Sequence, residues 1–81
     1  LQKTKALIDH RGYAISNIDS VVCLQRPKIR PFIDDMRHCL AEILELDVDD
    51  LSIKATTTEQ LGFEGREEGV SAYATVLVYK L

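Results

Sequence analysis

Residues 54–66, with the sequence KATTTEQLGFEGR, constrain the possible folds of this chain most strongly. They separate two apolar runs, whereas most connections in compact domains have only about four to six residues. Thr56 and Glu59 have the S/T-x-x-E spacing of a capping box, in which each side chain accepts the other residue's amide at a helix start. Free amides and hydroxyls at a helix start also bind phosphate, and a carboxylate beside a phosphate can hold Mg²⁺. The segment therefore predicts a capped helical turn, a phosphate and metal site, or both.

Hydrophobic periodicity predicts the elements on either side of this segment. The predicted elements are a helix over 1–11, a strand over 17–25, a helix over 31–45, a strand over 51–55 and a strand over 70–81. Gly12 is the expected stop of the first helix, and Pro31 suits the first turn of the second. Residues 47–50 are read as an acidic turn, because they have too few spaced ligands for an EF-hand.

The order of these elements predicts an α/β, or α+β, two-layer fold. A mixed sheet would be packed by helices on one face and built from a β-α-β crossover plus the long C-terminal strand. The 81 residues make one small domain at most, and 46% of them are hydrophobic. A domain of so few elements cannot easily cover that much apolar surface. We therefore expect apolar strand surface, above all at residues 76–78, to meet another subunit.

Charge and cysteine content argue against several kinds of partner. Thirteen acidic and ten basic residues give a net charge of −3, so neither nucleic acid nor a membrane is expected to be the main partner. No apolar run approaches the roughly 20 residues that span a bilayer. Cys23 and Cys39 lack zinc-type spacing and are expected to be free thiols. His38 and Cys39 point about 100° apart on a helix, which predicts ordinary helix positions.

Residues 54–69 resemble a longer signature, K-A-T-T-T-E-x-L-G-F-x-G-R-x-E-G, of the 2-C-methyl-D-erythritol 2,4-cyclodiphosphate synthase family. The earlier segments 12–19, 25–28 and 36–37 resemble that family's G-Y-x-x-x-N-x-D, Q-x-P-K and M-R motifs. Because the matches follow in order through nearly the whole chain, the resemblance is more specific than one short motif. It covers only the C-terminal half of such an enzyme. Residues 1–81 are thus expected to be the C-terminal part of a single synthase domain.

The resemblance implies a lyase of the non-mevalonate isoprenoid pathway. Such an enzyme converts 4-diphosphocytidyl-2-C-methyl-D-erythritol 2-phosphate to 2-C-methyl-D-erythritol 2,4-cyclodiphosphate and CMP. The reaction is a metal-assisted intramolecular phosphoryl transfer, which depends on positioning and charge neutralisation. The family's two-layer subunits form a homotrimer whose sheets face a central axis. The implied location is the bacterial cytoplasm or a plastid-type organelle.

The resemblance also implies roles for individual residues. It places five residues in a cytidine pocket: Leu24, Pro27, Lys28, Ile29 and Ala55. Thr56 and Thr57 match contacts to the nucleotide and diphosphate, and Glu59 matches the ligand of Mg²⁺. Thr57 and Glu59 are accordingly the predicted catalytic residues.

Phe63 and Arg66 complete the predicted substrate-binding set. They match positions at the family's trimer axis, where an apolar cavity can hold an isoprenoid diphosphate. The alternative is a core aromatic ring and an ion pair of the arginine with Glu64, Glu67 or Glu68.

The family's zinc site has no counterpart in this chain. In the family an Asp-x-His pair and a further histidine, all in the first half, hold zinc, and the complete enzyme also uses Mg²⁺ or Mn²⁺. Asp9 and His10 are adjacent rather than spaced, and His38 matches no zinc position. A catalytic zinc usually needs three protein ligands. We therefore assign no zinc ligand here and expect the isolated chain to be inactive.

Two hypotheses about function stay open. The chain is either the part of a cyclodiphosphate synthase that carries the nucleotide side of a shared site, or a non-catalytic trimeric module that binds a small ligand or serves assembly. Upstream sequence would discriminate between them.

Overall fold

Helices and strands alternate along the chain in the computed structural model, which describes all of residues 1–81. The elements are α1 (Gln2–His10), β1 (Tyr13–Cys23), α2 (Ile33–Leu44), β2 (Leu51–Thr56), the short α3 (Gly62–Gly65) and β3 (Ser71–Lys80). Two 3₁₀ turns, Arg30–Phe32 and Val48–Asp50, precede α2 and β2. No helix combines the length and the apolar character needed to cross a membrane.

The three strands form one mixed sheet in the order β2-β1-β3. β1 runs parallel to β2 and antiparallel to β3. Cys23, the last residue of β1, is level with Thr56, the last residue of β2, and with Ser71, the first residue of β3. The mixed sheet with its β-α-β unit and long C-terminal strand confirms the predicted fold class. It also brings the two chain segments that follow β1 and β2 to one edge of the sheet.

The core lies where α2 packs against β2. Leu44 of α2 is 4% exposed, and Leu51 and Ile53 of β2 are 2% and 8% exposed. Leu51 and Ile53 point to the same face because side chains alternate along a strand. Their burial places helices on that face, as predicted.

β3 remains uncovered in the single chain. Tyr73 and Leu77 are 66% and 57% exposed, and Val76 and Val78 are also exposed. Val76 is level with Ile18 and with the buried Leu51, so it lies on the face that α2 covers. Tyr73 is level with Val21 and Lys54, so it lies on the opposite face. Both faces of β3 therefore carry exposed apolar side chains, which is the apolar excess that the composition predicts.

β1 begins at Tyr13, so the prediction that it starts at Asn17 was wrong. A register shift between Ile15 and Asn17 marks a bulge in the pairing with β3. A bulge breaks the period-two pattern from which strands are recognised, which hid the first residues of this strand. β1 also ends earlier than predicted, at Cys23 rather than at residue 25, because no paired position follows Cys23 on either neighbouring strand.

The predicted helix over 31–45 is slightly shorter than expected. Pro31 lies in the 3₁₀ turn, and the α-helix proper begins at Ile33. Glu45 caps the C-terminus in the left-handed conformation, with φ of 57°, which ends the helix one residue before the predicted limit.

Arg37 fixes the start of β2 against α2. Its Nε donates to the carbonyl of Leu51 at 2.9 Å, and its Nη2 donates to the carbonyl of Val48 at 2.8 Å. Hydrogen bonds from a charged group are stronger than neutral ones. The guanidinium therefore anchors the strand whose far end enters the site described below.

A hydrogen bond between α3 and β3 gives the fold a pH-dependent contact. The Ser71 hydroxyl donates to Glu64 Oε2 at 2.6 Å, and this bond lowers the pKa of the Glu64 carboxyl below its ordinary value of 4.5. Because the pKa of Glu64 is lower in the folded state, its ionised carboxyl stabilises the fold at pH values above the ordinary pKa. This contribution to the free energy of unfolding is lost as the pH falls through the lowered pKa.

Ser71→Ala is therefore expected to reduce stability at pH 7, with the difference from the wild type disappearing in acid. Urea unfolding between pH 7 and pH 3 measures this difference. Ser20→Ala is the matched control, because the Ser20 hydroxyl donates to the carbonyl of Ser52, which does not titrate. The prediction would be contradicted if the loss of unfolding free energy in Ser71→Ala were independent of pH, as expected for Ser20→Ala.

Candidate functional site

A cavity of about 450 Å³ lies at the carboxyl ends of the parallel strands β1 and β2. The amide of Leu24 donates to the carbonyl of Thr56 at 3.1 Å, which continues the pairing of the two strands beyond their last ladder position. Past this point the chain after β1 forms one wall of the cavity and the end of β2 forms the other. The outer edge at the carboxyl ends of strands is where open α/β sheets bind ligands.

The cavity brings together all seven residues predicted for the nucleotide side of the site. Its lining is Leu24, Gln25, Pro27, Lys28, Ile29, Arg30, Ala55, Thr56 and Thr57. Gln25, the first residue of the Q-x-P-K motif, and Arg30 also belong to the lining. Ligand pockets of this kind typically measure about 300–1,000 Å³ and combine an apolar lining with a few polar groups.

The lining divides into parts with different chemistry. Leu24 and Ile29 are apolar and suit the face of a flat base, while Lys28 and Arg30 supply positive charge. The hydroxyl of Thr57 lies at the end where the chain leaves β2. An apolar wall beside cations and hydroxyls is suited to a molecule with an aromatic ring and an anionic group.

The turn after β2 differs from the predicted capping box. The amide of Glu59 donates to the hydroxyl of Thr57, at 3.3 Å, and the hydroxyl of Thr56 donates to the carbonyl of Thr57. Glu59 and Gln60 have φ of 54° and 69°, and no right-handed helix continues through such angles. α3 consequently starts later, at Gly62, without a side-chain cap. The prediction that Thr56 and Glu59 cap each other was therefore wrong.

Glu59 is exposed, and its backbone amide contacts Thr57 of the cavity wall. It takes part in none of the six ion pairs, which join other acidic side chains to lysine or arginine. Glu59 does not line the cavity itself but lies two residues beyond Thr57. No three or more His, Cys, Asp or Glu side chains are grouped so that they could hold a metal ion. A single free carboxylate fits Mg²⁺, which binds through one or two carboxylates together with ligand phosphates.

Phe63 and Arg66 lie apart from the cavity. Arg66 Nε is 2.8 Å from Glu68 Oε1, so the ion pair considered as the alternative does form. Phe63 is 46% exposed, which shows that it is not a core aromatic in this chain. The position of these two residues at a trimer axis stays a prediction.

Two contacts join the chain after β1 to the segment between β2 and β3. Gln25 Oε1 accepts the amide of Gln60 at 3.1 Å, and Arg26 Nε lies 3.2 Å from Glu67 Oε1. No local sequence pattern signals these contacts, because they join residues 35 and 41 positions apart.

Comparison with known proteins supports the assignment made from the motifs. A model described as the YgbB family matches residues 1–79. A Bacteroides fragilis protein named 2-C-methyl-D-erythritol 2,4-cyclodiphosphate synthase is 57% identical over 81 residues, covering 100% of this chain and 51% of that protein. The chain thus spans about half the length of the curated relatives it matches.

Solved structures share the fold. A Plasmodium vivax structure named 2C-methyl-D-erythritol 2,4-cyclodiphosphate synthase has a TM-score of 0.95 at 29% identity, covering 99% of this chain and 53% of that one. A Plasmodium falciparum structure described as an IspF CDP complex has a TM-score of 0.93 at 28% identity, covering 98% and 51%. Since the family model extends over nearly all 81 residues, the chain belongs to the YgbB family.

Proposed function

We propose that this chain supplies the nucleotide and diphosphate side of a 2-C-methyl-D-erythritol 2,4-cyclodiphosphate synthase. The observation that carries the proposal is the cavity at the ends of β1 and β2, which joins residues 24–25 and 27–30 to residues 55–57, two positions before the exposed Glu59. Two findings support it: the name of the Bacteroides fragilis relative and the CDP named for the Plasmodium falciparum structure.

The residues of the cavity would bind and orient the cytidine diphosphate part of the substrate. The base would lie against Leu24 and Ile29, and Thr56 and Thr57 would donate hydrogen bonds to phosphate oxygens. Each hydrogen bond to a charged oxygen contributes about 1.5–3 kcal/mol, so a few of them fix the diphosphate. In the reaction an oxygen of the 2-phosphate forms a bond to the β-phosphorus, while the bond from that phosphorus to the CMP oxygen breaks. Positioning these groups is most of the catalysis.

Glu59 would hold a divalent cation, Mg²⁺ or Mn²⁺, against the diphosphate. When bound, such a cation neutralises phosphate charge. Residues 1–81 contain no group of ligands suited to zinc, so no step is assigned to zinc on this chain.

The uncovered sheet supports a proposed homotrimer. Tyr73, Leu77 and Tyr79 are exposed large side chains on β3, and an apolar surface of this kind commonly marks an interface. In that assembly Phe63 and Arg66 would lie near the axis, where an isoprenoid diphosphate could bind. The reaction would take place in the bacterial cytoplasm or a plastid-type organelle.

We expect the complete protein to bind CDP at least about tenfold more tightly than ADP. A purine is larger than cytosine and would fit less well against Leu24 and Ile29, and losing about 1.4 kcal/mol of binding free energy is a tenfold change in affinity. Titration calorimetry with both nucleotides in Mg²⁺ measures the difference. Equal affinities would contradict cytidine recognition and would favour the alternative of a general small-ligand or assembly module.

A matched pair of variants tests whether CDP occupies this cavity. Ala55→Leu fills part of the cavity and is expected to weaken CDP binding. Ala72→Leu adds the same volume on β3. Ala72 pairs with Val22 of β1, which on its other side pairs with Ala55, so Ala72 lies two strands away from Ala55. This substitution is expected to leave CDP binding unchanged. Equal effects of the two substitutions would place the nucleotide elsewhere.

A further inference from the structure

The turn over residues 57–60 has an unfavourable backbone conformation. Glu59 and Gln60 are consecutive and both left-handed. Side-chain-bearing residues avoid that region, because their Cβ approaches the following carbonyl oxygen. Such residues keep this conformation only where surrounding contacts determine it, and they concentrate at functional sites.

Contacts within the turn account for part of its conformation. The Thr58 hydroxyl donates to the carbonyl of Leu61, and the amide of Leu61 donates back to the carbonyl of Thr58 at 3.1 Å. These bonds close the turn on itself. They do not fix its place relative to the cavity, because all their partners belong to the same segment.

Gln25 links the turn to the cavity wall. Its side-chain oxygen accepts the amide of Gln60 at 3.1 Å, across 35 positions of sequence. The partner is a backbone N–H, which only donates, so the amide oxygen of Gln25 must face it. Gln25 also lines the cavity, so one residue belongs to the cavity and binds the turn that carries Glu59.

We propose that Gln25 is a positioning residue, which through the amide of Gln60 holds the left-handed turn so that Glu59 can bind a divalent cation beside a nucleoside diphosphate. This inference rests on the proposed function, since it assigns a role towards the same cation. Without the Gln25 acceptor the turn would remain closed but would be held to the cavity wall only by the long bond from the Glu59 amide to the Thr57 hydroxyl, at 3.3 Å. Glu59 would then bind the cation less well.

Gln25→Leu in the complete protein tests the inference, because leucine keeps a similar volume and removes the acceptor. The structural measurement is hydrogen exchange at the Gln60 amide by NMR, which is expected to be about five- to tenfold faster, as for the loss of one hydrogen bond. The functional measurement is the ratio of CDP affinity with Mg²⁺ to CDP affinity in EDTA. We expect this ratio to fall about five- to tenfold. Any effect of residue 25 on the nucleotide itself changes the CDP affinity equally with Mg²⁺ and in EDTA, so it cancels in the ratio.

Two further variants control the experiment. Gln25→Glu keeps an acceptor oxygen and is expected to restore slow exchange at Gln60. Arg26→Gln changes the next residue, whose contact is with Glu67 rather than with the turn, and is expected to leave the magnesium ratio unchanged.

The outcomes separate this inference from the proposed function. An unchanged magnesium ratio in Gln25→Leu, with wild-type protein that binds CDP normally, would overturn the positioning role alone, whether or not exchange at Gln60 is faster. Wild-type protein that binds no CDP with or without Mg²⁺ would overturn the proposed function and this role with it.

Discussion

Glu59→Gln is expected to lower the turnover of the complete protein at least about 100-fold at limiting Mg²⁺, which corresponds to about 3 kcal/mol of transition-state stabilisation. The amide keeps the size of the side chain but loses the charge that is proposed to hold the cation. The fold should be unaffected, because the Glu59 carboxylate is exposed and takes part in no ion pair. CMP release measured across a Mg²⁺ titration, together with thermal unfolding, tests both statements.

Glu67→Gln provides the matched control for this substitution. Glu67 is also acidic, exposed and left-handed, with φ of 62°, but its carboxylate is paired with Arg26, whereas that of Glu59 is in no ion pair. Surface ion pairs contribute little to stability, so this variant should retain nearly full activity. Unchanged activity of Glu59→Gln at limiting Mg²⁺ would leave Glu59 with a structural role in the turn only.

Local patterns in the sequence were sufficient for the elements whose signals are local. The apolar spacing of α2 and the alternation in β2 place both within a residue or two of the structure, because their burial follows the helical and strand periods. The early part of β1 was missed because its evidence is not local. Tyr13 pairs with Lys80, which is 67 positions away, across a bulge that interrupts the alternation.

The site could be predicted only in part, for a similar reason. Residue types in the segment 54–66 indicated phosphate and metal chemistry, but the identity of the pocket residues came from the resemblance rather than from periodicity. The capping box failed because propensity favours a right-handed start at Thr56, whereas the surrounding structure holds Glu59 in a left-handed conformation. The contact between Gln25 and Gln60 is tertiary and has no sequence signal of its own.

α3 packs closely behind the left-handed turn at Gly65. A Cβ placed on Gly65 would lie 2.2 Å from the carbonyl carbon of Gln60 and 2.6 Å from its Cα. Both are backbone atoms, so no side-chain rotation relieves the overlap. α3 and the turn can therefore approach this closely only because residue 65 has no side chain.

Gly65→Ala is expected to displace the turn and reduce turnover of the complete protein about 100-fold, the effect typical of a misplacement of about 1 Å near reacting groups. Overpacking should also lower the free energy of unfolding by about 1–3 kcal/mol. CMP release and urea unfolding measure the two effects.

Gly12→Ala separates the loss of positioning from the loss of stability. Gly12 has φ of 78° with nothing within 4 Å of its added Cβ, so alanine there strains the backbone without displacing a neighbour. The cost should be about 1–2 kcal/mol, comparable with that of Gly65→Ala. Gly12 directly precedes β1, at the opposite end from the cavity, so turnover should stay near the wild-type value under conditions where both variants are folded. Equal turnover of the two variants would show that the close approach of α3 to the turn serves stability and not the position of Glu59.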